Sequence, residues 1–319
     1  AVACGQFVDA GGPIHGDSPV GGGGVQPSTP GRRRKGGLDA AGSSRCFMGM
    51  IRFHILGAGG ATPVPGHSPA AYHVTLDGLP ILLDPGPGAL VRTVAAGLAP
   101  RGIDDVGLVL LTHLHPDHCL DLVGLLFAAH SPLPERRDPL VIWGPPGLNR
   151  HLDQLRGIWG RSLDPRSRGL EVAELEPGSA RELPGGAAVE PFLVDHPQDR
   201  LAEACFGYRF RDRDGHVAVF SGDTGPCAGL TEAARGVDLL VVECSTTDEL
   251  ATPGHLTVGQ VTDLCREAGP RRAVLTHQYP PAAALDLASL VGAASGTPVI
   301  QARDGTVCTV PPAEGETAS

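Results

Sequence analysis

The 319-residue chain contains no stretch approaching the roughly 20 uninterrupted apolar residues that span a bilayer, which excludes a membrane-embedded protein. It lacks a basic excess: 25 Lys+Arg stand against 35 Asp+Glu, for a formal net charge of −10. Such a balance argues against gripping nucleic acid through bulk charge and leaves only a local basic patch for that role. Lysine is almost missing, Lys35 being the single one, and arginine supplies the remainder as a compositional bias. The eight cysteines (Cys4, Cys46, Cys119, Cys205, Cys227, Cys244, Cys265 and Cys308) form no CxxC pair and no dense framework. In a chain this long they read as small buried hydrophobes in a reducing cytosol, so a cytoplasmic protein without disulfides is expected. No apolar core follows a basic start at the N-terminus, so no secretory signal is expected either. Glycine and proline, at 45 and 30 residues, are abundant instead. They call for many tight connections and speak against a helical bundle.

Residues 1–47 differ in kind from the rest of the chain. They hold 12 Gly and 4 Pro, a run from Gly21 to Gly24 and a basic cluster, Arg32–Lys35. With little apolar surface to bury, this extension is expected to be disordered, as a solvated linker or upstream-translated segment in preference to a basic arm for a partner. Residues 48–319 form the expected folded domain. The runs 51–56, 71–76 and 81–84 read as short strands set off by Gly, Pro or Asp-Gly. Residues 88–98 and 120–130 have helical spacing, and 106–112 is a continuous apolar run suited to a strand buried on both faces. Further strand-like runs continue to 297–301, and 257–269 reads as a helix with Thr257 as cap and Gly269 as stop. This alternation points to a layered α/β architecture.

The strongest chemical signal is THLHPDHCLDL, residues 112–122. His113, His115, Asp117 and His118 place four donor side chains in six residues, directly after a buried strand. Imidazole and carboxylate at this density suit Zn, Mn or Fe. His196 follows VEPFLVD, Asp223 lies in VFSGDTG and His277 in AVLTHQYP. Each sits at a strand-to-loop boundary, so one rim of the sheets could gather all of them.

In order, HLHPDH, LVDHPQ, SGDTG and LTHQYP resemble the ligand motifs of the metallo-β-lactamase-fold hydrolases. The resemblance runs from Met50 to about Val310 and implies a four-layer αββα sandwich. It assigns one metal to His113, His115 and His196, and a second to Asp117, His118 and His277, with Asp223 bridging them. Asp84, in ILLDPGPG, matches the motif residue that steadies the metal site. The opening ILGAGGATPVPGHSPAAYHV and the segment PGHLTVGQVTDL, with His255, resemble the ribonuclease-Z-like branch. SGDTGPCAGLTEAARGVDLLVVECS is similar to bacterial phosphodiesterases of that branch, including those acting on cyclic nucleotides.

The resemblance implies two divalent ions, Zn2+ foremost with Mn2+ or Fe2+ compatible, and a metal-held water activated towards neutral pH. Asp117 is expected to serve both as ligand and as acceptor of that water's proton. His255 is the candidate to stabilise or protonate the leaving alkoxide, and Glu243 to orient His255. A phosphodiesterase acting on small nucleotide or cyclic-nucleotide phosphodiesters is the favoured reading. A ribonuclease Z acting on tRNA 3′ ends comes second, and a lactonase or thioesterase of the same fold third. Between His118 and His196 there is no long Gly/Pro-rich insertion of the kind that clamps tRNA, only WGPPGLNRHL and a modest arginine-bearing stretch (Arg156, Arg161, Arg166, Arg168). The expected partner is therefore a small phosphodiester, with RNA as alternative and no membrane. The resemblance also admits a homodimer.

Overall fold

The computed structural model describes residues 49–131, 138–197 and 204–312. The Gly/Pro-rich extension at 1–47, with Cys4 and Cys46, lies outside the described residues. Short apolar runs in the first half of the domain build β1 (Ile51–Gly57), β2 (Ala71–Leu76) and β3 (Leu79–Leu83), followed by α1 (Ala89–Ala95) and β4 (Leu108–Leu110). Then come α2 (Pro116–Cys119), α3 (Asp121–His130), β5 (Leu140–Gly144), α4 (Leu148–Trp159) and β6 (Leu170–Glu174). The second half supplies β7 (Arg181–Glu182), β8 (Ala188–Val194), β9 (Cys205–Arg211), β10 (Val217–Phe220), α5 (Ala228–Ala233) and β11 (Leu239–Glu243). It continues with α6 (Val258–Ala268), β12 (Ala273–Thr276), α7 (Pro280–Ala283), α8 (Leu287–Ser295), β13 (Val299–Gln301) and β14 (Val307–Val310).

Among the described residues the strands form two seven-stranded sheets, ordered β14-β1-β2-β3-β4-β5-β6 and β13-β12-β11-β10-β9-β8-β7. Each half of the domain thus makes one sheet, and only β14 crosses back, pairing antiparallel with β1 (Ile51 with Val310, Phe53 with Cys308). Alternation along β1 sends Ile51, Phe53 and Ile55 inward to full burial and leaves Arg52 exposed. The scarce aromatics concentrate between the sheets. Phe53 meets Phe210 edge-on at 5.6 Å and Tyr72 meets Phe220 at 4.6 Å, contacts that add to the burial of each ring. Leu122, Leu125 and Leu126 of α3 cover the outer face of the first sheet, and Val261 of α6 and Val291 of α8 cover that of the second. The expected αββα sandwich is present. No helix of the described residues is long and apolar enough to cross a membrane, and no disulfide joins Cys119, Cys205, Cys227, Cys244 or Cys265.

Where the structure departs from the sequence expectations, the causes are local. The helix expected over 88–98 ends at Ala95, because the Gly97 and Leu98 N–H groups turn back to the Val94 and Thr93 carbonyls. The helix expected over 120–130 starts at Asp121, whose N–H bonds the Pro85 carbonyl and leaves the preceding turn, α2, separate. The strand expected over 106–112 shortens to Leu108–Leu110, although burial stays complete from Val109 to Leu111. The helix at 257–269 has both expected ends: Thr257 and Gln260 form a capping box, and Gly269 turns left-handed at φ 60°.

The strand directions matter most for the site. β3, β4 and β5 run parallel in one sheet, and β10, β11 and β12 in the other, with β8 pointing the same way as β10 through the antiparallel β9. Their carboxyl ends open onto a common rim, the usual place for a ligand site in such sheets.

Candidate metal centre

The first group of donors follows β4. Thr112 donates its N–H to Asp84 Oδ1 at 2.7 Å, which ties the start of the loop to the end of β3. Buried Leu114 anchors the loop from below, and Pro116 opens α2, so Asp117 and His118 project from a short rigid turn. His113 and His118 are fully buried. Close behind this turn lies Gly86, where a Cβ would sit 1.8 Å from the Asp117 carbonyl oxygen.

The second sheet delivers the remainder: His196 after β8, Asp223 after β10 and His277 after β12. Asp223 Oδ2 lies 3.2 Å from His118 Nε2, 3.2 Å from His277 Nε2 and 3.8 Å from His113 Nε2. Asp117 Oδ2 lies 3.6 Å from His277 Nε2 and 3.7 Å from His118 Nε2. His196 Nε2 lies 3.0 Å from His115 Nδ1. All seven residues singled out from the sequence therefore meet at one place.

The donor chemistry fits divalent cations. His113, His115 and His196 form one compact triplet, and Asp117, His118 and His277 another. Tetrahedral bonds of about 2.0–2.1 Å put neighbouring donor atoms roughly 3.3 Å apart, close to the separations found here. His113 Nε2 is buried without a hydrogen-bond partner, as a lone pair reserved for a cation would be. The outward-facing nitrogens have protein acceptors: His118 Nδ1 donates to Asp84 Oδ2 at 3.0 Å and His196 Nδ1 to the Gly254 carbonyl at 2.7 Å. Such bonds set the ring orientation and raise ligand basicity.

His255 stands at the edge of this cluster. Its Nδ1 lies 3.2 Å from Glu243 Oε1 and 4.0 Å from Asp223 Oδ2, and its ring stacks on His277 at 5.6 Å. It could complete two other donor triplets, with His196 and Asp223 or with Glu243 and His277. The shorter bond to Glu243 commits its Nδ1 elsewhere. Glu243, at the end of the interior strand β11, also accepts from the Thr224 N–H at 2.6 Å and the Leu256 N–H at 3.0 Å. Burial works against charge on His255, but the Glu243 hydrogen bond and charge raise it to about 9. Burial, then the neighbouring His118, push His113 well below the ordinary imidazole value. Burial opposes ionisation of Asp223, yet the His118 and His277 rings hold it well below the usual carboxylate range. Asp117, partly buried, is drawn down to about 2 by the neighbouring His277 and the charge of His118.

Three participants escaped the sequence reading. Thr112 Oγ1 lies 2.9 Å from His113 Nδ1, Ser245 Oγ lies 3.0 Å from His277 Nδ1, and Tyr279 meets both His255 and His277 edge-on at 5.7 Å. The signal for the first was adjacency, a hydroxyl one position before a ligand. Ser245 and His277 are far apart in sequence, so only the parallel β11–β12 pairing joins them.

A family model described as the beta-lactamase superfamily domain matches residues 80–278, more than half the chain. The chain belongs to the β-lactamase superfamily. It is a hydrolase of the metallo-β-lactamase fold. Among curated relatives of this superfamily member, a ribonuclease Z from Mycobacterium sp. (strain KMS) is 32% identical over 253 residues, covering 73% of this chain and 86% of that one. Among solved structures, the metallo-β-lactamase fold protein YhfI from Bacillus subtilis superposes with a TM-score of 0.65 at 20% identity, over 82% of this chain and 99% of that one. The short form of human tRNase Z gives 0.62 at 22% identity, over 80% and 98%. At these identities the two structures speak for the fold alone.

Proposed function

We propose that this superfamily member hydrolyses phosphodiesters with two divalent cations, Zn2+ foremost, and that its substrates are small nucleotide or cyclic-nucleotide phosphodiesters. The observation that carries the reading is the convergence of two donor triplets on the single oxygen Asp223 Oδ2, with the His255–Glu243 pair beside them. When bound, the cations neutralise charge on the phosphoryl oxygens and make a water acidic enough to attack near neutral pH.

The chain's own residues move the protons. Asp117 takes the proton that the attacking water releases. Glu243 holds Nδ1–H of His255, so the ring's Nε2 faces the leaving group and gives its proton to the departing alkoxide as the P–O bond breaks. Exchange with solvent then restores both groups. His255→Ala is expected to lower kcat by about 10²–10⁴ while bound metal stays constant by elemental analysis. A parallel loss of metal would make His255 a ligand and not an acid.

A ribonuclease Z reading has its own support in the curated relative of that name. Against it stand the net charge of −10 and the short described connections, β9 to β10 spanning only residues 212–216. A lactonase or thioesterase fits less well, because the GHLT segment that supplies His255 resembles the ribonuclease-Z-like element. Metal-reconstituted protein should turn over bis-(p-nitrophenyl) phosphate and cyclic nucleotides and leave a tRNA precursor intact. Cleavage confined to the precursor would reverse the order of the two readings.

A further inference from the structure

Two buried carboxylates, one from each sheet, organise the imidazoles by the same route. Asp84, just after β3, accepts from His118 Nδ1 at 3.0 Å and from Thr112 Oγ1 at 2.7 Å, both on Oδ2. Thr112 Oγ1 in turn lies 2.9 Å from His113 Nδ1. Glu243, at the end of β11, accepts from His255 Nδ1 on Oε1 and from the Ser245 hydroxyl on Oε2. Ser245 Oγ lies 3.0 Å from His277 Nδ1. Each carboxylate therefore orders one ring directly and a second ring through a hydroxyl.

A hydroxyl has one proton and two lone pairs. The carboxylate is the stronger acceptor and takes the proton, which leaves the oxygen to accept Nδ1–H from the adjacent imidazole. That arrangement fixes His113 and His277 as Nδ1–H tautomers and bares their Nε2 atoms. The surroundings agree. His113 Nε2 is buried with no hydrogen-bond partner, and His277 Nε2 lies 3.2 Å from Asp223 Oδ2 and 3.1 Å from His118 Nε2. Ser245 is also 2.8 Å from the His277 carbonyl, at a residue held in the left-handed region at φ 52°. The single hydroxyl proton is shared between that carbonyl and Glu243 Oε2, and with either acceptor the oxygen keeps a lone pair for the Nδ1–H of the ring.

We propose that Thr112 and Ser245 are positioning residues, hydroxyl relays that set the tautomers of His113 and His277 and serve one donor triplet each. The inference rests on the two-cation reading above. Thr112 acts on the triplet of His113, His115 and His196, and Ser245 on that of Asp117, His118 and His277. Because Asp84 also touches His118 directly, only the hydroxyls separate the two positions.

The test is a Zn2+ titration against a competing chelator, with stoichiometry by elemental analysis, on the wild type, Thr112→Val and Ser245→Ala. The wild type should take up two ions. Each variant should bind one ion about 10–100-fold more weakly and keep the other at wild-type affinity. Thr112→Ser and Ser245→Thr should restore both. Imidazole nitrogen spectra of the zinc-loaded wild type should place His113 and His277 in the Nδ1–H form, a readout independent of how well any variant folds. Two ions in the wild type with both affinities unchanged in the variants, or both weakened equally in each, would overturn the relays alone. So would an Nε2–H tautomer at either ring. A wild type that binds fewer than two ions overturns the two-cation reading and the relays with it.

Discussion

Asp223→Ala is expected to remove phosphodiester turnover by a factor of about a thousand or more. The side chain lies against both donor triplets, and its Oδ2 approaches three imidazole nitrogens within 3.8 Å. On the two-cation reading proposed above, its loss would take away the ligand shared by the cations and several kcal/mol of charge stabilisation, at about 1.4 kcal/mol per tenfold in rate. Fold and site can be separated by measuring three quantities on one preparation. These are kcat on bis-(p-nitrophenyl) phosphate, bound metal by elemental analysis, and far-ultraviolet circular dichroism. The expected pattern is native dichroism, at least one ion lost and no turnover. A variant that keeps full metal and a rate within tenfold of wild type would take Asp223 out of the centre.

Gly86→Ala should be nearly as damaging without touching a donor atom. A Cβ at that position would lie 1.8 Å from the Asp117 carbonyl oxygen and 2.5 Å from that of Ala70. Both obstacles are backbone, so no side chain can swing aside. Overpacking of this kind costs about 3 kcal/mol or more. In a domain of this size that lowers the melting temperature by about 6–12 °C. Relief must come from moving the α2 turn, which carries Asp117 and His118. Metal affinity should fall together with stability, whereas a surface control such as Gly157→Ala, whose added Cβ would meet no atom within 4 Å, should leave both unchanged. Wild-type melting and metal binding in Gly86→Ala would refute the close approach.

The donor set was legible in the sequence for a physical reason. Metal ligands must be of a few residue types and must sit on rigid supports, and His113 to His118 combine both at the end of an apolar strand. His196, Asp223 and His277 gained meaning from sharing that strand-end position. The layer order was legible because strand-like and helix-like periods alternate along the chain. What stayed hidden depends on long-range pairing. β14 is four residues long, too short to stand out by its own pattern, and only its register with β1 identifies it. α4 and α8 likewise went unread. Helix ends moved where a backbone group found a distant partner, as the Asp121 N–H did in Pro85. The Ser245–His277 contact spans 32 positions and has no local signature.

The return of β14 to β1 joins residues 51 and 310 across almost the whole domain. A polypeptide emerging from the ribosome must therefore carry an incomplete first sheet, with the outer backbone groups of β1 unmatched, until β14 has been made. Closure of that ladder is a late, slow event by virtue of its sequence separation. Chaperone capture during translation should accordingly concentrate on the strand nearest the start of the domain.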